Sequence, residues 1–164
     1  MVIIDRAALN ALIEAARANP RRRLHRNLHA SYDEPSQRLL IAMEPDSYIQ
    51  PHRHLADPKP EAFIALAGSV ALVTFDDAGD LRSVTRLGPG HDAVAVDLPV
   101  GVWHAVVSLA SGSVFYETKP GPYNPLQGKD MAPWAPAEGT AAVAAYQAGL
   151  RGAVHHWGLR RQGR

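Results

Sequence analysis

The sequence predicts a protein of the all-β class, an antiparallel β-sandwich or β-barrel, with a short helix near each end. Thirteen Gly and thirteen Pro residues punctuate the chain, and such frequent breaks favour many short elements over a helical bundle. Between residues 37 and 118, short apolar stretches are separated by Pro, Gly and Asp, which is typical of a sandwich or a barrel. The chain has 164 residues, of which 46% are hydrophobic, so a single globular domain is expected.

The charge balance and the amino-acid composition exclude several classes of function. Seventeen Lys and Arg residues against sixteen Asp and Glu residues give a net charge of +1, which argues against nucleic acid or an anionic membrane as a partner. The absence of Cys excludes disulfides, a thiolate nucleophile and a Cys-type zinc site. The N-terminus has no basic start followed by a long apolar run, and no stretch approaches the roughly 20 apolar residues of a membrane span. We therefore expect a cytoplasmic protein.

The first element is expected to be an amphipathic helix. Asp5 is suited to cap its N-terminus, apolar residues follow at helical spacing, and Asn19-Pro20 ends the pattern. In the basic stretch that follows, we interpret Arg21, Arg22 and Arg26 as a solvated face. The β-rich part is then expected to contain strands at 37–43, 47–52, 61–67, 69–75, 81–87, 92–98, 104–109 and 112–118.

The chain after the last predicted strand divides into a Pro-rich crossing and a helical end. Residues 119–136 contain too many prolines for a regular helix or a central strand, so they are expected to cross the surface in an extended path. Thr140 is suited to cap an Ala-rich helix that runs to about Leu150. We expect one domain in three parts: an N-terminal segment at 1–36, the barrel at 37–118, and the crossing with its helix and tail at 119–164.

The chemically most informative stretch is Pro51-His52-Arg53-His54. In an extended strand, residues two apart point the same way, so the two imidazoles would reach one interior point. Imidazole is a good ligand for Zn, Fe, Ni, Mn or Cu, but a His pair alone is a weak indication of a metal site. It requires further ligands from elsewhere in the chain.

Two further candidate ligands follow along the sequence. Glu61 opens the apolar run that ends at Gly68, and a charge entering a buried strand is costly unless it is paired or bound to a metal. The alternatives are a Glu at a solvated strand edge, or Asp57 as the ligand, although Asp57 lies in a turn that it could simply form. His104 ends the pattern Pro-x-Gly-x-x-His; taken alone, it would be interpreted as a hydrogen-bonded core histidine.

Taken together, these elements resemble the two motifs of the cupin superfamily. The shared features are two His two residues apart, a Glu seven residues before a Gly, and Pro-x-Gly-x-x-His some forty residues later. The resemblance implies an antiparallel barrel of jelly-roll type that holds one divalent transition metal, such as Fe, Mn, Ni or Zn. It also implies the ligand set, which is His52, His54, Glu61 and His104.

A narrower resemblance, to the WbuC family of cupin-fold metalloproteins, covers nearly the whole chain. The matching stretches are RLHRNLH at 23–29, QRLL at 37–40, PHRH at 51–54, KPGPY at 119–123 and PWAPAE at 133–138. That family is found among bacterial surface-polysaccharide (O-antigen) biosynthesis functions. The resemblance therefore implies a role in polysaccharide metabolism by association only.

Polar residues in these stretches are candidates for binding a substrate at the barrel mouth. They are Asn27, His29, Arg38, Lys119 and Tyr123. Together they would make a cationic pocket rich in hydrogen-bond donors, which suits a carboxylate, a phosphate or a sugar that carries one. The alternatives are that Arg38 pairs with Glu117 across two strands, and that Tyr123 only braces the Pro-rich crossing.

We therefore expect a metal-dependent protein that acts on an anionic sugar or sugar nucleotide, with isomerase or epimerase chemistry favoured. One alternative is an Fe(II)-dependent oxygenase. Another is a non-catalytic module that binds a sugar or metabolite and uses the metal as a structural clamp. The chain indicates no catalytic acid or base beyond the conceivable Tyr48 and Tyr123. A homodimer is expected, because such barrels often pair and the first helix could cover an edge strand.

Overall fold

The computed structural model describes residues 1–124 and 129–162, with side chains as far as residue 157. Within these ranges the chain forms ten strands and two helices. In chain order they are α1 Arg6–Ala18, β1 Arg23–Asn27, β2 Ser36–Met43, β3 His52–Arg53, β4 Glu61–Ala67, β5 Val70–Phe75, β6 Leu81–Leu87, β7 Ala95–Leu98, β8 Trp103–Ser108, β9 Ser113–Pro120, β10 Asp130–Met131 and α2 Val143–Gln162.

The strands form two five-stranded sheets in which every pairing between the named strands is antiparallel. The first sheet has the order β1-β2-β9-β4-β7, and the second has the order β10-β3-β8-β5-β6. The inner faces of both sheets contribute to one apolar core, which contains Ile41 and Phe115 from the first sheet and Leu72 and Val106 from the second. The expected mainly β fold, an antiparallel jelly-roll barrel with two packed sheets, is confirmed.

Each sheet is covered on its outer face by a helix. Leu12 and Ala16 of α1 pack against Leu40 and Val114 of the first sheet. On the second sheet, α2 and the segment around Trp134 cover Val73 and its neighbours. The two helices thus bury apolar side chains on the outer face of each sheet.

The first helix agrees with the sequence at its N-terminus, whereas the second differs at both ends. Asp5 caps α1, since its Oδ1 accepts a hydrogen bond of 2.8 Å from the backbone of Ala8. The prediction that Thr140 caps the second helix is wrong, because that helix begins at Val143 and the Thr140 hydroxyl donates to the carbonyl of Ala137 at 2.8 Å.

The second helix runs on to Gln162 instead of ending near Leu150. Leu150 and Val154, one turn apart, are both buried against the second sheet, so packing extends the helix beyond the expected end.

The strand expected at 47–52 is wrong, because only His52 belongs to a strand there. The preceding backbone bonds to side chains instead: the carbonyl of Tyr48 accepts from Arg23 at 2.6 Å, and that of Ser47 accepts from Gln147 at 2.6 Å. The expected strand 92–98 is also shorter, since β7 spans Ala95–Leu98.

Two strands, β1 and β10, were not predicted. Strand β1 includes Arg26, which was interpreted as part of a solvated face, and pairs with β2 from Arg23↔Met43 to Asn27↔Leu39. Strand β10 lies inside the predicted Pro-rich crossing and pairs with β3, with Asp130 opposite Arg53; residues 125–128 of that crossing lie outside the described residues. Among the described residues, no helix has the length and apolar character needed to cross a membrane.

Candidate metal centre

The four candidate ligands come from three strands of the barrel and meet in its interior. His52 opens β3, Glu61 opens β4, and His104 is the second residue of β8. Strand pairing places His52 directly opposite His104, and His54 follows β3 by one residue. None of the four side chains has more than 5% of its surface exposed, so the interpretation of Glu61 as a solvated strand-edge residue is wrong.

The ligand atoms of His52, His54 and Glu61 all lie within 4.8 Å of one another. The Nε2 atom of His54 is 3.2 Å from Oε1 of Glu61, and Nε2 of His104 is 3.0 Å from Oε2 of the same carboxylate. The rings of His52 and His104 have their centroids 4.4 Å apart. His52, His54 and Glu61 are close enough together for one cation to contact all three side chains.

Backbone carbonyls fix which imidazole nitrogens face the cluster. The Nδ1 atom of His52 lies 3.0 Å from the carbonyl oxygen of Gln50, and that of His104 lies 2.9 Å from the carbonyl of Val102. Because a carbonyl only accepts hydrogen bonds, each Nδ1 is the donor, and a neutral ring then presents the lone pair of Nε2. Burial lowers the pKa of His52 well below its ordinary value, so this ring is in the neutral form that metals bind.

The unpaired atoms of the cluster fit a bound cation. Both ring nitrogens of His54, Oε2 of Glu61 and Nε2 of His104 are buried without a hydrogen-bond partner among the described residues. The Nε2 atom of His104 lies 3.0 Å from a carboxylate oxygen of Glu61, and two acceptors at that distance repel each other unless a proton or a metal cation lies between them. The donor set of imidazoles and one carboxylate suits a divalent transition metal.

Lys119 also binds the carboxylate of Glu61, through the same oxygen that faces His54. Its ammonium donates to Oε1 of Glu61 at 2.9 Å and to Oε1 of Glu117 at 2.8 Å. Burial would lower the pKa of Lys119, but the two carboxylates raise it above its ordinary value. Burial would likewise raise the pKa of Glu61, yet His104, His54 and Lys119 lower it well below the usual range, so Glu61 stays ionised.

A cavity of about 210 Å³ opens on this cluster. Its floor includes His52, Glu61 and His104, and one side is apolar, with Phe63 and Phe115 among its residues. The remaining residues that line it are Arg21, Arg23, His25, Asn27, His29, Tyr32, Gln37, Leu39, Ile41, Ile49, Val106, Glu117, Lys119, Tyr123 and Lys129. This volume is below the roughly 300–1,000 Å³ of pockets for drug-sized molecules, so the cavity suits a ligand of about one sugar unit.

The structure brings four of the five predicted substrate-binding residues to the cavity. Asn27, His29, Lys119 and Tyr123 all line it. Tyr123 stands edge-on to Tyr32 with ring centroids 5.3 Å apart.

Arg38 is the predicted residue that the structure does not bring to the cavity. Its guanidinium binds Glu34, four residues earlier, and it is not among the residues that line the cavity. The pairing of Arg38 with Glu117 is also wrong, because Arg38 lies opposite Thr118 and Glu117 binds Lys119.

Neither Asp57 nor Tyr48 belongs to the candidate metal centre or its cavity. Asp57 forms an ion pair of 2.7 Å with Lys59 and is not a member of the His–Glu group. Tyr48 donates its hydroxyl to the carbonyl of Pro136 at 2.8 Å and does not line the cavity.

Sequence reasoning missed a row of basic residues that line the cavity at β1, the edge strand of the first sheet. Arg23, His25 and Asn27 of β1 all line the cavity, because alternate residues of a strand face the same way. Arg21 and His29, which lie before and after this strand, line it as well.

The alternation was visible in the sequence, but Arg21 was interpreted as part of a solvated face with Arg22 and Arg26, and no binding role was predicted for Arg23 or His25. Lys129 was missed because the Pro-rich segment before it has no periodicity that shows where its side chain points.

Glu138 anchors the two arginines of this row. Its Oε2 accepts from Arg21 and from Arg23, each at 2.7 Å, and its Oε1 accepts a second bond from Arg21. Burial would raise the pKa of Glu138, but the two guanidinium groups lower it to about 2. The ion pair joins the stretch PWAPAE to the stretch RLHRNLH, which are separated by more than a hundred residues.

We expect Glu138→Gln to lower the free energy of unfolding at pH 7 by about 1 kcal/mol, because the carboxylate is partly solvated and its ion pairs are screened. The folded pKa of about 2 lies below the ordinary value of 4.5, so this contribution is present above pH 4.5 and is lost as the pH falls toward 2. Urea unfolding of both proteins from pH 7 to pH 2.5 measures the difference. Glu14→Gln, at a carboxylate whose side chain is 71% exposed, is the control; equal stabilities at pH 7 would contradict the prediction.

Three solved structures are similar to this chain, and the first of them, whose TM-score exceeds 0.5, shows a shared fold. Protein SO0799 from Shewanella oneidensis has a TM-score of 0.52 and 12% identity, over 65% of this chain and 72% of that one. KdgF from Halomonas sp. has a TM-score of 0.47 and 17% identity, over 63% of this chain and 81% of that one. Oxalate decarboxylase from Bacillus subtilis has a TM-score of 0.47 and 17% identity, over 60% of this chain but only 24% of the enzyme.

Comparison by sequence gives a family without an assigned activity. No curated protein is significantly similar to the chain. A family model described as "Domain of unknown function (DUF6016)" matches residues 4–87, which is just over half of the 164 residues. The match begins near α1 and ends at β6, so it includes His52, His54 and Glu61 but not His104. The chain therefore belongs to the DUF6016 family.

Proposed function

We propose that this protein is a metal-binding cupin that acts on an anionic sugar or sugar nucleotide by isomerase or epimerase chemistry. The observation that carries the proposal is the buried group His52–His54–Glu61, whose unpaired polar atoms lie beside a cavity with a cationic side. The resemblance to the WbuC family supports a place in bacterial surface-polysaccharide metabolism. A cytoplasmic location and a homodimer remain expectations of the same proposal.

Each part of the site has a distinct task in this proposal. His52, His54, Glu61 and His104 would hold one divalent transition metal, which supplies a Lewis acid that polarises a carbonyl or hydroxyl oxygen. Lys119 fixes the orientation of Glu61 through its 2.9 Å hydrogen bond, in the manner of a partner that orients a metal ligand. The aromatic rings of Phe63 and Phe115 exclude water from one side of the cavity.

The cavity also contains groups that can move a proton. Glu117 lines it with one oxygen bound to Lys119. His25 lines it as well, and burial lowers its pKa to about 4, so the ring is neutral at pH 7 and able to accept a proton. Isomerisation of a sugar requires such a group within hydrogen-bond reach of the carbon that loses its proton.

The proposal is tested by deuterium exchange together with metal analysis. Elemental analysis of the tag-free protein, as purified and after reconstitution, determines whether about one equivalent of metal binds. The loaded protein is then incubated in D₂O with sugar acids, sugar phosphates and sugar nucleotides, and the carbon-bound hydrogens are followed by ¹H NMR. We expect at least one sugar to exchange a carbon-bound hydrogen with the metal-loaded protein and not with His52→Ala.

The outcomes separate the proposed function from a binding module and from an oxygenase. Binding of a sugar without any exchange or oxygen uptake would favour a non-catalytic module with the metal as a clamp. Oxygen uptake with an iron-loaded protein would favour an oxygenase. Metal far below one equivalent after reconstitution would contradict the metal-binding function itself.

A further inference from the structure

The cavity is lined by four cationic side chains, which differ in how they are neutralised. These are Arg21, Arg23, Lys119 and Lys129. The two arginines share the carboxylate of Glu138, and Lys119 bridges two carboxylates. A ligand that bound to any of these three would have to compete with an existing ion pair, which makes them poor first contacts for an anion.

Lys129 is different, because no residue in the described part of the chain forms an ion pair or hydrogen bond with its ammonium group. Desolvation and the positive charge of Lys119 lower its pKa more than the carboxylates of Glu117 and Glu61 raise it, although the residue is exposed to solvent. Its side chain is accessible from the cavity. An uncompensated cation that faces a cavity is stabilised by an anionic ligand.

His25 offers a second, uncharged contact beside this lysine. It lines the same cavity from β1, and the charges of Lys129 and Arg23 are among the causes that lower its pKa after burial. A neutral imidazole both donates and accepts a hydrogen bond. It can therefore contact an oxyanion through its N–H without adding a further charge to the site.

Strand β10 fixes Lys129 relative to the candidate metal ligands. The next residue, Asp130, lies opposite Arg53 in the pairing with β3. The Oδ2 atom of Asp130 also accepts hydrogen bonds of 2.9 and 3.0 Å from the backbones of Leu55 and Ala56. The segment that carries Lys129 is thus bonded to the residues on both sides of His54. The position of Lys129 in the chain is therefore fixed relative to the candidate metal ligands.

We propose that Lys129 binds the anionic group of the cavity's ligand, a carboxylate or a phosphate, with His25 as a hydrogen-bond partner. This inference rests on the proposed function and deepens it, because it names the residue that selects a charged sugar. The cavity volume of about 210 Å³ limits the ligand between Lys129 and the His–Glu group to about one sugar unit.

The test compares three sugars that differ in charge. Dissociation constants for glucuronate, glucose 6-phosphate and glucose are measured by NMR titration at one ionic strength, with the zinc-loaded and the metal-free protein. We expect the wild-type protein to bind at least one charged sugar more tightly than glucose. Lys129→Gln should weaken binding of that sugar about tenfold, equivalent to about 1.4 kcal/mol, and leave glucose binding unchanged. Arg82→Gln, at a side chain that is 68% exposed, is the charge-matched control.

Each outcome decides the proposal. Selective weakening of glucuronate or of glucose 6-phosphate in Lys129→Gln supports it and shows whether the anion is a carboxylate or a phosphate. Unchanged binding of the charged sugars in Lys129→Gln overturns it, as does a wild-type protein that binds all three sugars equally or not at all. Zinc content is measured in parallel; a protein that binds charged sugars through Lys129 but no metal would contradict the proposed function and not this inference.

Discussion

Replacing His52 with alanine is expected to remove metal binding while the barrel stays folded. The imidazole belongs to the group His52–His54–Glu61, whose ligand atoms lie within 4.8 Å of one another. Its Nδ1 donates to the carbonyl of Gln50, which leaves Nε2 to bind the metal. Loss of one ligand from a set of His and Glu lowers metal affinity by orders of magnitude. His104→Ala is expected to have the same effect, because Nε2 of His104 faces Glu61 at 3.0 Å.

The measurement is elemental analysis after reconstitution, together with circular dichroism and a thermal melt. We expect metal to fall from about one equivalent to near zero, with the β-sheet spectrum retained. His155→Ala removes an imidazole from the exposed side of α2 and should keep its metal. Full occupancy in His52→Ala and His104→Ala, with the fold intact, would contradict the ligand assignment.

The sequence was sufficient to predict the fold class, and its resemblance to the cupin superfamily implied the set of four candidate ligands. His52 and His54 are two apart in an extended segment, and Glu61 is a charge at the start of an apolar strand; both features are local and need no knowledge of strand pairing. Many short strands broken by turn residues predicted a sandwich or a barrel, and the resemblance implied the jelly-roll type.

The lining of the cavity depended on longer-range information. Arg38 was expected there, but a carboxylate four residues earlier binds its guanidinium, and a sequence does not show which of several nearby carboxylates an arginine contacts. Arg23 was not expected, because its pairing with Glu138 joins segments at opposite ends of the chain. Lys129 depends on the pairing of the two-residue strand β10 with β3, which no sequence periodicity reveals.

The free energy of unfolding of the protein should depend strongly on Lys119, which lies in the polar part of the barrel interior. Its ammonium is buried and donates to both Glu61 and Glu117, so Lys119→Met leaves two neighbouring buried carboxylates without a counter-ion. Removing one partner of a buried ion pair typically costs about 3–5 kcal/mol. We expect a loss of this size in the free energy of unfolding of the metal-free protein, measured by urea denaturation at pH 7 in the presence of a chelator.

A second substitution and added metal identify the cause of that loss. Glu117→Gln in the Lys119→Met background removes one of the uncompensated charges and should recover part of the stability. Metal binding through Glu61 should also restore part of it, because a cation that binds only the folded state stabilises that state and would replace the missing positive charge. An unfolding midpoint of Lys119→Met at the same urea concentration as the wild type would contradict the prediction. The two carboxylates would then not require the charge of this lysine, and its position between them would reflect packing of its alkyl chain.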